Sequence, residues 1–235
     1  FEDRLPEVCP SVTIVDTQPF EDKCLLNIGC GVGEGPVLAL MGLKNYIGLD
    51  FSFNAVNITS RSLQILSKNN SKVVQANAEA LPFRDNSIDI IYSNGVLHHT
   101  PNTTKAFSEL IRVLKPNGKA VIGLYSTYSP HFINSKIIGF ISSILQTKNK
   151  GLKWYESGES AWRTDNNTNP WTKTYSVNEI RKILSNFNVY DIAFRKNNFS
   201  WSNAIPLIGE KISRTRFGKS TSRRLNKKFG SIIVS

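Results

Sequence analysis

His98 and His99 stand side by side in SNGVLHHTP, two of the three histidines in a chain of 235 residues. A histidine with an ordinary pKa of about 6.5 can remove a proton at neutral pH, so the pair is a candidate for acid–base work. The plainer role is local, one of them capping or packing against the helix that follows. Upstream, NIGCGVGEG (Asn27 to Gly35) sets four glycines at every second position behind the apolar Cys24-Leu25-Leu26. Glycines clear side chains from a ligand's approach and allow positive φ. The unpaired N–H groups of a following helix favour an anionic or polar ligand end. Asp50 lies 21 residues after Gly29 at the end of another apolar run. An acid at that place accepts hydrogen bonds from the two hydroxyls of a ribose.

The spacing of the loop narrows the ligand. A dinucleotide fingerprint requires G-x-G-x-x-G, and counting from Gly29 puts Glu34 where its third glycine belongs. Counting from Gly31 gives no pyrophosphate register either. What stands is N-x-G-x-G-x-G, the spacing of a loop around a smaller nucleoside such as S-adenosylmethionine. The histidines and cysteines have no metal-ligand spacing, and no Ser-His-Asp arrangement is readable, so magnesium-assisted or nucleophilic chemistry is not indicated.

These residues need elements to hold them. Short apolar runs alternate with helical patterns through the first half, the sign of a parallel sheet wound by helices. Strands are predicted at 23–28, 45–50, 72–75, 87–93 and 119–125. Helices are predicted at 36–41, 53–68 with Ser52 as cap, and 103–114, the last stopped by Lys115-Pro116-Asn117-Gly118. The rhythm then breaks into an apolar helix at 132–146 and a polar stretch carrying Trp154, Trp162 and Trp171. It resumes with a helix at 177–187, a sixth strand at 189–194 and a closing seventh at 231–234. The expected fold is α/β: a Rossmann-like, doubly wound, seven-stranded, mostly parallel sheet with an antiparallel last strand, helices on both faces and a lid insertion. One domain over 1–235 is expected, with a cofactor half at 22–126, a lid at 127–175 and C-terminal elements at 176–235.

Apolar content of 40% and charged content of 20% are those of an ordinary globular protein. No run of 18 apolar residues appears, so no membrane span is expected. The chain opens at Phe1 without an initiator Met and stops at Ser235 inside a strand-like run, which reads as a trimmed chain whose targeting segment could be lost. Cys9, Cys24 and Cys30 without paired spacing suit a reduced, cytoplasmic protein. The 23 asparagines are explained by codon bias, which makes some Asp-to-Asn changes drift.

Read on through ANAEALPFRDNSIDIIYSNGVLHHTP (76–101) and FSELIRVLKPNGKAVIG (107–123), the chain resembles the class I S-adenosylmethionine-dependent methyltransferases. It is most similar to the group that includes quinone, sterol and natural-product enzymes. The resemblance is strong over 22–126 and loose over 177–194. It implies S-adenosylmethionine as cofactor and S-adenosylhomocysteine as product. It implies that Gly29, Cys30, Gly31 and Gly33 surround the methionine moiety and ribose, with Asp50 on the ribose hydroxyls and Phe51 beside the adenine. It also implies Asn77 and Ala78 at the adenine edge, and Asn94 with Gly95 along the cofactor. The family usually has acids where Asn27 and Asn77 stand, the first acting through water on the cofactor's amino end. Asparagine keeps the acceptor and loses the charge, so weaker cofactor binding is expected.

Within the resemblance, the acceptor is expected to be a small or lipid-linked organic molecule, hydrophobic or anionic, methylated at oxygen, nitrogen or carbon by in-line displacement. His98 or His99 would take its proton. An RNA methyltransferase and a cofactor-binding pseudoenzyme are the alternatives. Net charge is −1 up to Tyr125 and +12 from Ser126 onward, and Lys211 to Lys228 holds eight basic residues and no acid. That run reads as a solvated surface or as a peripheral contact with an anionic membrane. Phe217 is its one aromatic, so base stacking and nucleic acid are disfavoured.

Overall fold

A computed structural model describes residues 22–31, 34–39, 45–67, 69–128, 173–187, 194–197 and 231–234. The expected helix at 132–146, the three tryptophans of the insertion and the basic run at 211–228 lie outside the described residues, as does Gly33. The chain divides into two compact units, one of 1–123, 185–192 and 234–235, the other of 124–184 and 193–233.

The first unit is a parallel ladder. Strands β1 (Cys24–Ile28), β2 (Asn45–Asp50), β3 (Ser71–Gln75), β4 (Ile88–Asn94) and β5 (Leu114–Leu124) take the order β3-β2-β1-β4-β5, every described pairing parallel. The central strands β1 and β4 are buried almost throughout, as strands covered on both faces must be. Leu25, Leu26, Ile28 and Ile91 have no exposed surface, each burial contributing about 1.5–3 kcal/mol. The chain leaves β1 towards one edge and returns at β4 on the other side, so the strand order reverses between β1 and β4. Ligands of such sheets sit outside the carboxyl ends of the strands at that reversal.

Helix α1 (Glu34–Ala39) starts two residues before the expected Pro36, and α2 (Phe53–Ile65) ends three before the expected Lys68. Ser67 at φ +53° breaks α2's continuation. Ser52 caps α2 as expected, its hydroxyl accepting from Ala55 N at 3.4 Å. Helix α3 (Thr103–Val113) is capped by Asn102 and buries Ala106, Phe107, Leu110 and Val113 on one stripe. It stops before Lys115 as expected and passes directly into β5, which begins at Leu114 rather than at the expected Lys119. Lys115 to Gly118 forms an irregularity inside that strand, where the register shifts from Ile88↔Leu114 to Ile90↔Lys119. Asn117 at φ +62° absorbs the bend.

In the second unit Ser126 bridges Tyr175 in parallel, and Tyr175 N donates to Tyr125 O at 2.9 Å. Helix α4 (Val177–Leu184) opens on a reciprocal cap: Glu179 accepts from Ser176 N at 2.7 Å, while Ser176 Oγ accepts from Glu179 N at 3.3 Å. Strands β6 (Phe194–Asn197) and β7 (Ser231–Val234) follow. The expected seven strands are all present, and β7 lies beside β6 in the sheet. No helix among the described residues is long and apolar enough to cross a membrane.

Candidate cofactor site

The loop after β1 turns on two glycines at positive φ, Gly29 at +74° and Gly31 at +50°. Gly29 N and Cys30 N both donate to Leu49 O, at 2.7 and 3.0 Å, which fastens the loop to the end of β2. A Cβ on Gly29 would overlap Val96 of the β4 loop, so no larger residue fits. Gly31 is the opposite case, with nothing but Gly29 O near its Cβ position, at 3.9 Å. Thr59 of α2 donates its hydroxyl to Gly31 O.

Asp50 ends β2 beside this loop. Its Oδ2 accepts from Gly31 N at 3.0 Å and its Oδ1 from Ser52 N at 2.9 Å. A carboxylate has about four lone-pair directions, so two backbone donors orient the group and leave capacity for further donors. Phe51 is 77% exposed, and Gln75 Nε2 donates to its carbonyl at 3.1 Å.

After β3, Ala78 is buried and Asn77 exposed. Asn77 Oδ1 accepts from Glu79 N at 2.9 Å and Asn77 O from Ala80 N at 3.0 Å, so the carboxamide shapes its own turn. Arg112 holds the following segment against α3. Its guanidinium donates to Leu81 O at 3.0 Å, to Phe83 O at 2.9 Å, to Asp85 at 2.6 Å and to Glu109 at 2.8 Å. Glu109 in turn accepts from Leu81 N at 2.8 Å, and the Arg112 hydrogen bond holds its carboxyl below the usual carboxylate range. The sequence reading missed this clamp, because Leu81, Phe83 and Asp85 lie 27 to 31 residues from Arg112.

At the end of β4, Asn94 Oδ1 occupies the place where a Cβ on Gly123 would stand. Gly95 at φ +75° donates to Gly123 O at 3.0 Å, with open space where its Cβ would be. Leu97–His99 form a single 3-10 turn, on which the histidines part company. His98 is fully buried, and burial, then the neighbouring His99, pushes its pKa well below 6.5. His99 is half-buried, its ring centroid 4.1 Å from that of His98.

Asn27 lies inward. It is 1% exposed, and its Nδ2 donates to Tyr46 Oη at 3.0 Å. Cys30 is 1% exposed, and burial, then Asp50, pushes its thiol up to about 11. The fold therefore joins Gly31 to Asp50 by a direct hydrogen bond and ties Gly29 to the neighbouring Leu49 O, with Val96 closing on Gly29 from the end of β4. Tyr46 and Val96 are further members that the sequence reading missed. Among the described residues no three His, Cys, Asp or Glu side chains gather as a metal ion would need.

Residues 26–122 match the model of a methyltransferase domain. The chain is 41% identical over 100 residues to the demethylmenaquinone methyltransferase of Lactococcus lactis, covering 41% of this chain and 40% of that protein. It is 29% identical over 143 residues to the enzyme of the same name from Oceanobacillus iheyensis, covering 56% and 59%. It thus spans about half the length of these curated relatives. Its fold resembles that of Haemonchus contortus phosphoethanolamine N-methyltransferase 2, solved with phosphomonomethylethanolamine and S-adenosylhomocysteine. That likeness has a TM-score of 0.61 at 17% identity, over 97% of this chain and 51% of that one.

Proposed function

We propose that residues 26–122, which match the methyltransferase-domain model, form a class I S-adenosylmethionine-dependent methyltransferase domain, and that the chain methylates a small or lipid-linked organic acceptor. The observation that carries the reading is Asp50, fixed by Gly31 N and Ser52 N at the end of β2, beside the loop after β1. Gly31 and Gly95, both at positive φ, leave open the space that side chains would fill, so the residues present fit a nucleoside cofactor. When bound, S-adenosylmethionine supplies an activated methyl group whose transfer to an acceptor lone pair leaves S-adenosylhomocysteine.

The chain's own task is positional. Asp50 takes the ribose hydroxyls, Phe51 lies beside the adenine, and Asn77 with Ala78 meets the adenine edge. Gly29, Cys30 and Gly31 would pass around the methionine and ribose, and Asn94 with Gly95 would line the cofactor from β4. Asn27, buried on Tyr46, bears on affinity from beneath the loop. Holding the acceptor in line, about 3–3.5 Å from the methyl carbon, replaces an encounter with an oriented approach. Proton removal falls to the half-buried His99, since His98 is fully buried and sealed from an acceptor.

The names of the relatives support a quinone-like or amino-alcohol acceptor, methylated at carbon or nitrogen. The basic run at 211–228 supports an anionic acceptor or a peripheral membrane contact of a cytoplasmic protein. Calorimetry with S-adenosylmethionine and S-adenosylhomocysteine tests the reading, with saturable binding expected. Absence of heat at millimolar cofactor overturns it. His99→Ala should then slow turnover with cofactor affinity unchanged, and full activity in that variant would remove the histidine from the reaction.

A further inference from the structure

Tyr46 stands on β2 with its ring in the core, 1% exposed, and its hydroxyl at a crossing point. Asn27 Nδ2 donates to that hydroxyl at 3.0 Å. A Cβ on Gly35 would come within 2.7 Å of it, and one on Gly48 within 3.2 Å. The Gly48 position also lies 3.2 Å from Cys30 Sγ. One buried oxygen is thus bordered by the strand residue that enters the glycine loop, by neighbours of a loop residue, and by the first turn of the helix that leaves it. The parallel register Asn27↔Gly48 sets the two strands in line, and Gly35 and Gly48, where a Cβ would crowd the hydroxyl, carry none.

We propose that Tyr46 is a positioning residue for the cofactor loop: its hydrogen bond to Asn27 fixes the spacing between loop entry and loop exit, and so sets cofactor affinity without touching the cofactor. Two residues after Asn27, Gly29 N is held on Leu49 O at 2.7 Å, so a displacement at Asn27 is passed straight into the loop. Removing the phenol oxygen leaves the Asn27 amide without this acceptor in a pocket closed to water, and Asn27 must move to recover one. This inference rests on the reading of residues 29–33 as a cofactor loop. It also recasts Asn27, whose amide serves the sheet.

The test is calorimetry with S-adenosylhomocysteine, paired with thermal unfolding, on the wild-type chain, Tyr46→Phe, Asn27→Leu and the double variant. Each single change is expected to weaken binding about five- to tenfold. Because both remove the same bond, the double variant should bind no more weakly than the worse single one, whereas independent effects would multiply. Gly48→Ala keeps both partners but crowds the hydroxyl, and should weaken binding by a smaller factor. It decides the matter with Asn27→Leu if Tyr46→Phe does not fold. Variants that lower Tm while leaving affinity within about twofold, or whose effects multiply, overturn the proposal alone. A wild-type chain that binds no S-adenosylhomocysteine overturns the cofactor reading, and the role of Tyr46 falls with it.

Discussion

Gly29 and Val96 interlock: the space that a Cβ on Gly29 would need is filled by the Val96 side chain. The loops after β1 and β4 therefore meet without a gap at the strand-order reversal. This contact gives the glycine at position 29 two separate reasons, its φ of +74° and its neighbour.

Gly29→Ala is accordingly expected to destabilise the fold by about 2–4 kcal/mol, combining overpacking with a strained backbone. Adding Val96→Ala should recover the overlap and leave about 1–2 kcal/mol for the positive φ. Denaturant unfolding measures both, and a double variant no more stable than Gly29→Ala would show that Val96 is not the obstacle.

Asp50→Ala removes the acceptor shared by Gly31 N and Ser52 N together with the charge offered to a ribose. Affinity for S-adenosylhomocysteine should fall about 10- to 100-fold, the worth of a charge-assisted hydrogen bond. Asp50→Asn should fall between the two. Calorimetry gives the ranking, and equal affinities in all three would displace Asp50 from the site.

Burial depresses the pKa of His98 in the folded state, so between its ordinary value and that lowered one the unfolded chain binds more protons. Stability is complete above about pH 6.5 and declines as pH falls, by at most about 1.4 kcal/mol per unit from this group. Unfolding followed from about pH 7.5 down to about pH 5.5, a unit either side of the ordinary pKa, should show that slope. His98→Gln should flatten it, and an unchanged slope would assign the acid sensitivity elsewhere.

With its thiol pushed up to about 11 and 1% exposed, Cys30 is a packing residue at ordinary pH. At pH 8 its thiolate fraction is about 0.001, against roughly a quarter for a free thiol. Iodoacetamide should leave Cys30 unlabelled in the native chain and modify it promptly in denaturant. Peptide mapping reads the difference, and rapid native labelling would mean the loop opens.

Much of this site was legible in one dimension because its signals are local. The glycine spacing requires only a tight turn, Asp50 only the end of an apolar run, and Ser52 only a cap three residues before Ala55 N. The ladder β1 to β5 followed from apolar runs and helical spacing. The segment Lys115 to Gly118 stopped α3 as read, but its place inside β5 was not legible, because Pro, Asn and Gly punctuate a loop and a strand irregularity alike. Which one forms depends on pairing with β4, a partner outside any local window.

The sequence by itself determined a parallel α/β sheet, a nucleoside-sized glycine loop and an acid at the end of the second strand, since backbone torsions and short-range periodicity encode them. Only the tertiary structure separated His98 from His99, because a single 3-10 turn points adjacent side chains to different surroundings and burial alone sets their chemistry apart. It alone turned Asn27 towards Tyr46, 19 residues away, because the register between two strands decides which side chains become neighbours.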